Sequence, residues 1–493
     1  MKNRTLTILA AIAVCAGAQA LELPDIISPG AVLQQNSDAR LWGWAAPGAE
    51  VTVTPSWSDT AVTAVADRKT GRWETTVATP AASYTPYTIR FQEGAETMDI
   101  DNVLVGEVWF CSGQSNMEMP LRGFGIQHID GGGRAIAYSG RRPAIRMATV
   151  PKSASYTPQE RTTGKWKVSS PENAPEFSAL AYFFAESLQD IIDTPVGIIN
   201  CAYGGSKVEG WMPKEMLDGY PGWDMAAEEN NPDIREWERI GVMYNAMLLP
   251  VAGYTVKGFL WNQGESNVGR HDEYPYHQKD MVEHWRKLWA DDSLPFYFVE
   301  LPGWKYGDGE GTSAAYFREC QHKAAEITPN SGVVCTTDLV DPVEIEDIHA
   351  ARKQPIGERL AFMAAARTYG NHYVPNIYPR FESADLQGDK AVIKIANAHG
   401  GLNPNRQLQG FEVAGDDKVF YPATAEENWD TFEITVTAPE EVKEIKSVRY
   451  CFKNFAIGTL KDMMGQPLIP FRTDDWADGE STSHLRKSDA KSL

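Results

Sequence analysis

Three short strings in the middle of the chain set chemically capable polar groups directly after apolar runs. Cys111-Ser112-Gly113-Gln114-Ser115-Asn116-Met117 puts Ser115 on what reads as a tight turn between a strand and a helix. A serine there stands at the top of a sheet, and the backbone N–H groups behind it are available to a developing oxyanion. Met117 stands where a G-x-S-x-G elbow needs glycine, so that motif is absent. Asn200-Cys201-Ala202-Tyr203-Gly204-Gly205-Ser206 follows a second apolar run, and its paired glycines let a ligand approach the backbone. Trp261-Asn262-Gln263-Gly264-Glu265-Ser266-Asn267 follows a third, and its side-chain amides offer N–H groups without charge. A serine nucleophile needs a base. Of nine histidines, most read as surface or helix residues, His277 and His284 among them. His349 differs: it stands in Glu346-Asp347-Ile348-His349, where a neighbouring carboxylate would orient the imidazole. The chemistry this set implies is acyl transfer through a serine, with no metal and no organic cofactor.

The elements that must position these groups are legible in the texture of the chain. Residues 103–370 hold uninterrupted apolar strands over 107–111, 196–200, 258–261 and 295–299. Amphipathic helices are expected between or after them over 177–192, 276–289, 314–325 and 353–369. Apolar strands alternating with helices predict an α/β domain, a parallel sheet covered on both faces. Ligands of such sheets sit beyond the carboxyl ends of the strands, where the three strings and His349 are expected. Residues 21–102 read as all-β, with alternating runs over 39–44, 50–54, 72–77 and 87–91 separated by turn residues. Residues 371–480 return to that texture over 390–395, 432–436 and 446–452. The polar stretch 481–493 reads as a disordered tail.

Composition bounds the partners. The 493 residues carry a formal net charge of -20 and no basic run, which argues against nucleic acid. Residues 1–20 read as an export signal: Lys2 and Arg4, an apolar stretch over 6–16, and Ala18-Gln19-Ala20 as a cleavage site. No later stretch is apolar for about 18 residues, so no membrane span is expected, and the protein is expected to be periplasmic or secreted. Five cysteines follow the signal, an odd number that leaves at least one unpaired within a chain. The 15 tryptophans fit either sugar-stacking surfaces or large cores.

In these motifs the chain resembles the sialate O-acetylesterase family of the SGNH hydrolases. The resemblance rests on Gly106-Glu107-Val108-Trp109, on Ser112-Gly113-Gln114-Ser115-Asn116-Met117-Glu118-Met119-Pro120, on the string 261–267, and on Asp347-Ile348-His349 followed by Lys353, Gly357 and Arg359-Leu360-Ala361. Val32-Leu33-Gln34-Gln35 and the string 41–48 resemble the family's N-terminal β module, and 410–415 and 470–474 its C-terminal β region. The resemblance implies a three-layer α/β/α, flavodoxin-like SGNH-hydrolase domain flanked by β-sandwich regions. It implies Ser115 as nucleophile and His349 as base. It implies an oxyanion hole from the Ser115 and Gly205 N–H groups and the Gln263 side chain, with Asn262 as the alternative donor. The orienting acid stays open between Asp347, Glu346 and no carboxylate at all. Ala350 stands where the family has proline. The implied activity removes O-acetyl groups from sugars, O-acetylated sialic acids first, with acetyl xylan or another plant glycan as the alternative. A non-catalytic carbohydrate-binding protein is the reading from another class. Trp211, Arg270 (or Arg122), Asn116 and Glu265 are the candidate substrate-binding residues, and the insertion 211–239 is expected to wall the site.

Overall fold

The computed structural model describes residues 20–221, 223–307, 309–398, 400–402 and 408–477. The stretch 1–20 read as an export signal, Ala20 apart, and the tail 481–493 lie outside the described residues. A mixed α/β core carries the strings singled out above. Its sheet runs in the order Ser331–Val334, Phe296–Val299, Gly258–Asn262, Glu96–Gly113, Val196–Ala202, Ile145–Thr149, Trp166–Val168. All neighbours pair parallel except the last two strands, which are antiparallel.

Both faces of this sheet are covered, which is why its strands show no polar alternation. Phe110, Phe259, Trp261, Phe296 and Phe298 pack into one buried cluster with Met281, Trp285 and Phe317 from helices Tyr274–Leu288 and Ser313–Ile327. The alternate residues Trp109, Cys111, Leu260 and Tyr297 pack into a second cluster with Phe184, Leu188, Leu360 and Ala364 from helices Ala179–Ile192 and Lys353–Arg367. The period-2 reversal of side chains along each strand thus divides one sheet between two helical layers.

Strand Glu96–Gly113 is 18 residues long. Its first part pairs antiparallel with Ser83–Glu93, and its middle pairs parallel with Val32–Gln34, so the amino-terminal β region and the core sheet share one strand. Buried Glu107 fastens this junction: it accepts from Gln34 at 3.0 Å, Gln35 at 2.6 Å and the Tyr369 hydroxyl at 2.8 Å. Carboxyl-terminal to the core lie two four-stranded sheets around a cluster that includes Ile393, Val413, Val436 and Val448.

Candidate active site

Glu96–Gly113 has Val196–Ala202 on one side and Gly258–Asn262 on the other. Gly113 stands level with Ala202 in one neighbour and with Asn262 in the other. All three strings therefore leave the sheet at the same height, at the carboxyl ends of adjacent strands. Gly113 has φ +137, and a Cβ there would lie 2.1 Å from the Asn262 carbonyl oxygen, so only glycine fits this exit. Ser115 follows two residues later and opens a single helical turn, Ser115–Glu118. Gly204 lies against it: a Cβ on Gly204 would stand 3.3 Å from Ser115 Cβ. The Gly204 N–H is donated to Glu118 Oε2 at 2.6 Å, and Glu118 Oε1 accepts from Lys152 at 2.8 Å. The N–H groups of Ser115 and Gly205 carry no hydrogen bond among the described residues. Two unengaged backbone donors thus stand on the turns beside the Ser115 side chain.

His349 comes from the loop before helix Lys353–Arg367. Asn116, the neighbour of Ser115, bolts that loop down: its amide donates to the Ile348 carbonyl at 3.1 Å and to Glu265, and its oxygen accepts from Lys353. Burial lowers the Lys353 pKa to about 8, with Glu265 working against that shift. Burial likewise raises the Glu265 carboxyl, one of whose oxygens has no hydrogen-bond partner among the described residues. This buried amide, amine and carboxyl join the serine turn, the histidine loop and the third strand end. The His349 ring packs edge-on against Phe124 at 5.4 Å, and its Nδ1 lies 2.7 Å from Gln127 Oε1. Burial, and then the charge of Lys353, pulls the imidazole pKa below 6.5, while Asp347 and Glu118 offset part of that shift.

The structure places several expected site residues elsewhere. Glu346 is 71% exposed and pairs with Lys305, so it does not orient His349. Asp347 accepts the His349 backbone N–H at 2.9 Å, and among the described residues its side-chain partner is Gln127 rather than the ring. Gln263 donates its amide to Ser206 O at 3.1 Å and Asn267 Oδ1 at 2.7 Å, and its oxygen accepts from Tyr274. Both amide hydrogens are engaged and the residue is 1% exposed, so it presents no donor to a ligand. The Asn262 side chain makes no hydrogen bond among the described residues. Asn116 is 1% exposed with both side-chain polar atoms engaged, so it meets no substrate, and Glu265 is half-buried and serves the same bolt through one oxygen. Trp211 is wholly buried, donates to Ser206 Oγ at 2.9 Å and packs edge-on against Trp261, which makes it core.

Arg270 binds Glu273 at 2.6 Å and Glu209 at 2.5 Å. Burial opposes the Glu209 carboxylate, but Arg270 and His277 outweigh it and hold its carboxyl well below the usual range. His277, read as a surface or helix residue, lies on the helix but is fully buried and 3.0 Å from Glu209. Glu209, Glu273 and His277 have the spacing of metal ligands, and the positive charge among the two carboxylates is the Arg270 guanidinium. Arg122 is paired with Glu176 at 2.7 Å.

Sequence reasoning missed Gln127 and Trp237. Trp237 lies within the insertion, and its indole edge is 2.6 Å from where a Gly205 Cβ would stand. No spacing rule ties either residue to the strings; only the folded loops do.

Comparison with known proteins fits the chemistry these groups allow. The fold and the relatives define a carboxylic ester hydrolase. The chain belongs to the carbohydrate esterase, sialic acid-specific acetylesterase family, whose model matches residues 105–366, more than half of its length. It is 26% identical to the human (Homo sapiens) sialate O-acetylesterase over 400 residues, covering 74% of each chain. It is 27% identical to the Mus musculus sialate O-acetylesterase over 422 residues, covering 74% of this chain and 76% of that one. A carbohydrate acetylesterase from Xanthomonas citri is 33% identical in its crystal structure, with a TM-score of 0.80 over 93% of this chain and 100% of that one. No helix among the described residues is long and apolar enough to cross a membrane.

Proposed function

We propose that this protein is a serine carbohydrate esterase that releases acetate from O-acetylated sugars, through Ser115 as nucleophile and His349 as general base. One observation carries the reading: three adjacent strands end level, and the Ser115 turn they present is bolted through Asn116 to the loop of His349. In the mechanism, Ser115 Oγ attacks the acetyl carbonyl and its proton passes to His349 Nε2. The oxyanion gathers the N–H groups of Ser115 and Gly205, with Asn262 as the side-chain donor in place of the engaged Gln263. His349 then protonates the departing sugar oxygen as the C–O bond breaks. Water adds to the acetyl-enzyme, His349 takes its proton, and acetate leaves as Ser115 recovers its hydrogen.

The central sheet supports an SGNH, flavodoxin-like, three-layer reading. Without the edge pair Ile145–Thr149 and Trp166–Val168, its five parallel strands follow the order 2-1-3-4-5. O-acetylated sialic acids are the substrate class that the family and the curated relatives favour. A second reading, a neutral plant glycan acetate, is favoured by Arg122 and Arg270, both already paired with carboxylates. The amino-terminal pattern supports a periplasmic or secreted location.

Acetate release from a panel of O-acetyl sialosides and acetylated xylo-oligosaccharides separates the two substrates by kcat/KM. Turnover of either by the native protein, abolished by Ser115→Ala, is expected. Release of no acetate from any panel member would contradict the reading.

A further inference from the structure

Each polarity in the chain of groups behind His349 is determined. Asp347 Oδ1 accepts the His349 backbone N–H at 2.9 Å and the Gln127 side-chain N–H at 2.5 Å. A carboxylate only accepts, so the amide nitrogen of Gln127 faces Asp347 and its oxygen faces the ring. That oxygen lies 2.7 Å from Nδ1, and an acceptor there requires the ring hydrogen on Nδ1. Nε2 is left with the lone pair a general base uses. The turn carrying Gln127 is itself fixed. Phe124 and Gln127 exchange backbone hydrogen bonds of 2.9 and 2.7 Å, and Phe124 packs against the His349 ring.

We propose that Gln127 is the positioning residue of this site: its amide relays the Asp347 carboxylate to His349 Nδ1 and holds Nε2 as the base for Ser115. The proposal rests on the Ser115–His349 reading. It replaces the expected direct contact between acid and histidine by a neutral link, so the imidazolium formed during attack meets its counter-charge one group further away. The charged groups facing His349 are Asp347 on its own loop, Glu118 on the serine turn and Lys353 at the start of the following helix.

The test compares native protein, Gln127→Ala and the exchange variant Gln127→Glu/Asp347→Asn. The exchange keeps the shape of the chain but sets the carboxylate directly on Nδ1. Gln127→Ala is expected to lower kcat on an acetylated sugar roughly 10- to 100-fold with KM little changed, part of the ~10²–10⁴ a positioned base supplies. The exchange variant is expected to recover part of that loss. Its acidic limb of kcat/KM should move to higher pH, because a carboxylate on Nδ1–H favours the charged ring. A merely structural role would not move that limb. Unfolding midpoints of all three are measured, and should Gln127→Ala not fold, the acidic limb of the exchange variant decides alone. Native kcat in Gln127→Ala, or an unmoved limb in a folded exchange variant, overturns the relay alone. A native protein that turns over no acetyl ester overturns the Ser115–His349 reading and the relay with it.

Discussion

Lys353 is an amine with almost no water around it, 1% exposed, held by the Asn116 oxygen between the serine and histidine loops. Burial costs its charged form, and so its pKa falls from 10.5 to about 8. The sign of the consequence follows from proton counting. Between pH 8 and 10.5 the unfolded chain binds more protons at this position than the folded one, so the contribution of Lys353 to stability rises with pH across that window. Denaturant unfolding of native protein and Lys353→Met between pH 7 and 10.5 should show the native curve gaining on the variant as pH rises; parallel curves would remove the charged buried amine from the account. The same reasoning applies to His349, the proposed base. Burial, then the charge of Lys353, lowers its pKa, so the free-base ring should persist further into acidic solution than an ordinary imidazole, and the acidic limb of kcat/KM should lie below that of a solvated histidine.

At the scale of elements, the turn Tyr203-Gly204-Gly205-Ser206 does two jobs with two glycines. Gly204 lets the backbone lie against Ser115. Gly205 has φ +79 and leaves room for the Trp237 indole. Gly205→Ala would meet both the left-handed backbone, at about 1–2 kcal/mol, and the indole. The expected outcome is a folded protein of lowered melting temperature that has lost most of its esterase rate; native kcat would show that the added methyl does not displace the Gly205 turn from the site. The strands and helices around this turn were legible in the sequence because burial on both sheet faces leaves continuous apolar runs. Among the core strands missed, Ile145–Thr149 and Trp166–Val168 are interrupted by Arg146 and Lys167, and Ser331–Val334 is only four residues long. The site divided the same way. Ser115 and the glycine pair stood out by following apolar strands, and His349 by its neighbouring carboxylates in a loop before a helix. Gln127 lies in a loop 222 residues from His349 and has no periodicity to mark it. Trp211 was misplaced because sequence does not distinguish a tryptophan at a cleft from one in the interior, and the half-buried Arg270 because its pairing with Glu209 and Glu273 is set only by the fold.

Across the whole molecule, the aromatic richness is largely interior: Trp42, Trp73, Trp109, Trp211, Trp261 and Trp285 are among the largest fully buried side chains. Cys111, Cys201, Cys320, Cys335 and Cys451 are free, four of them buried, so packing rather than crosslinking holds the described regions. One buried cluster runs from Leu41 and Trp73 in the amino-terminal β region to Phe110, Phe259 and Trp285 in the core. A chain beginning at residue 103 would expose that cluster and strip Glu107 of Gln34 and Gln35. Expressed alone, it should be insoluble or lack a cooperative unfolding transition; a soluble, cooperatively folding fragment would show that the core stands without its neighbour.

The central claim is that Ser115 carries the acyl group, and covalent labelling tests it most directly. Native protein treated with diethyl nitrophenyl phosphate should gain one diethylphosphoryl group on the peptide containing Ser115, and its acetate release should fall in proportion to labelling. The label on another residue, or full turnover by Ser115→Ala, would contradict the account.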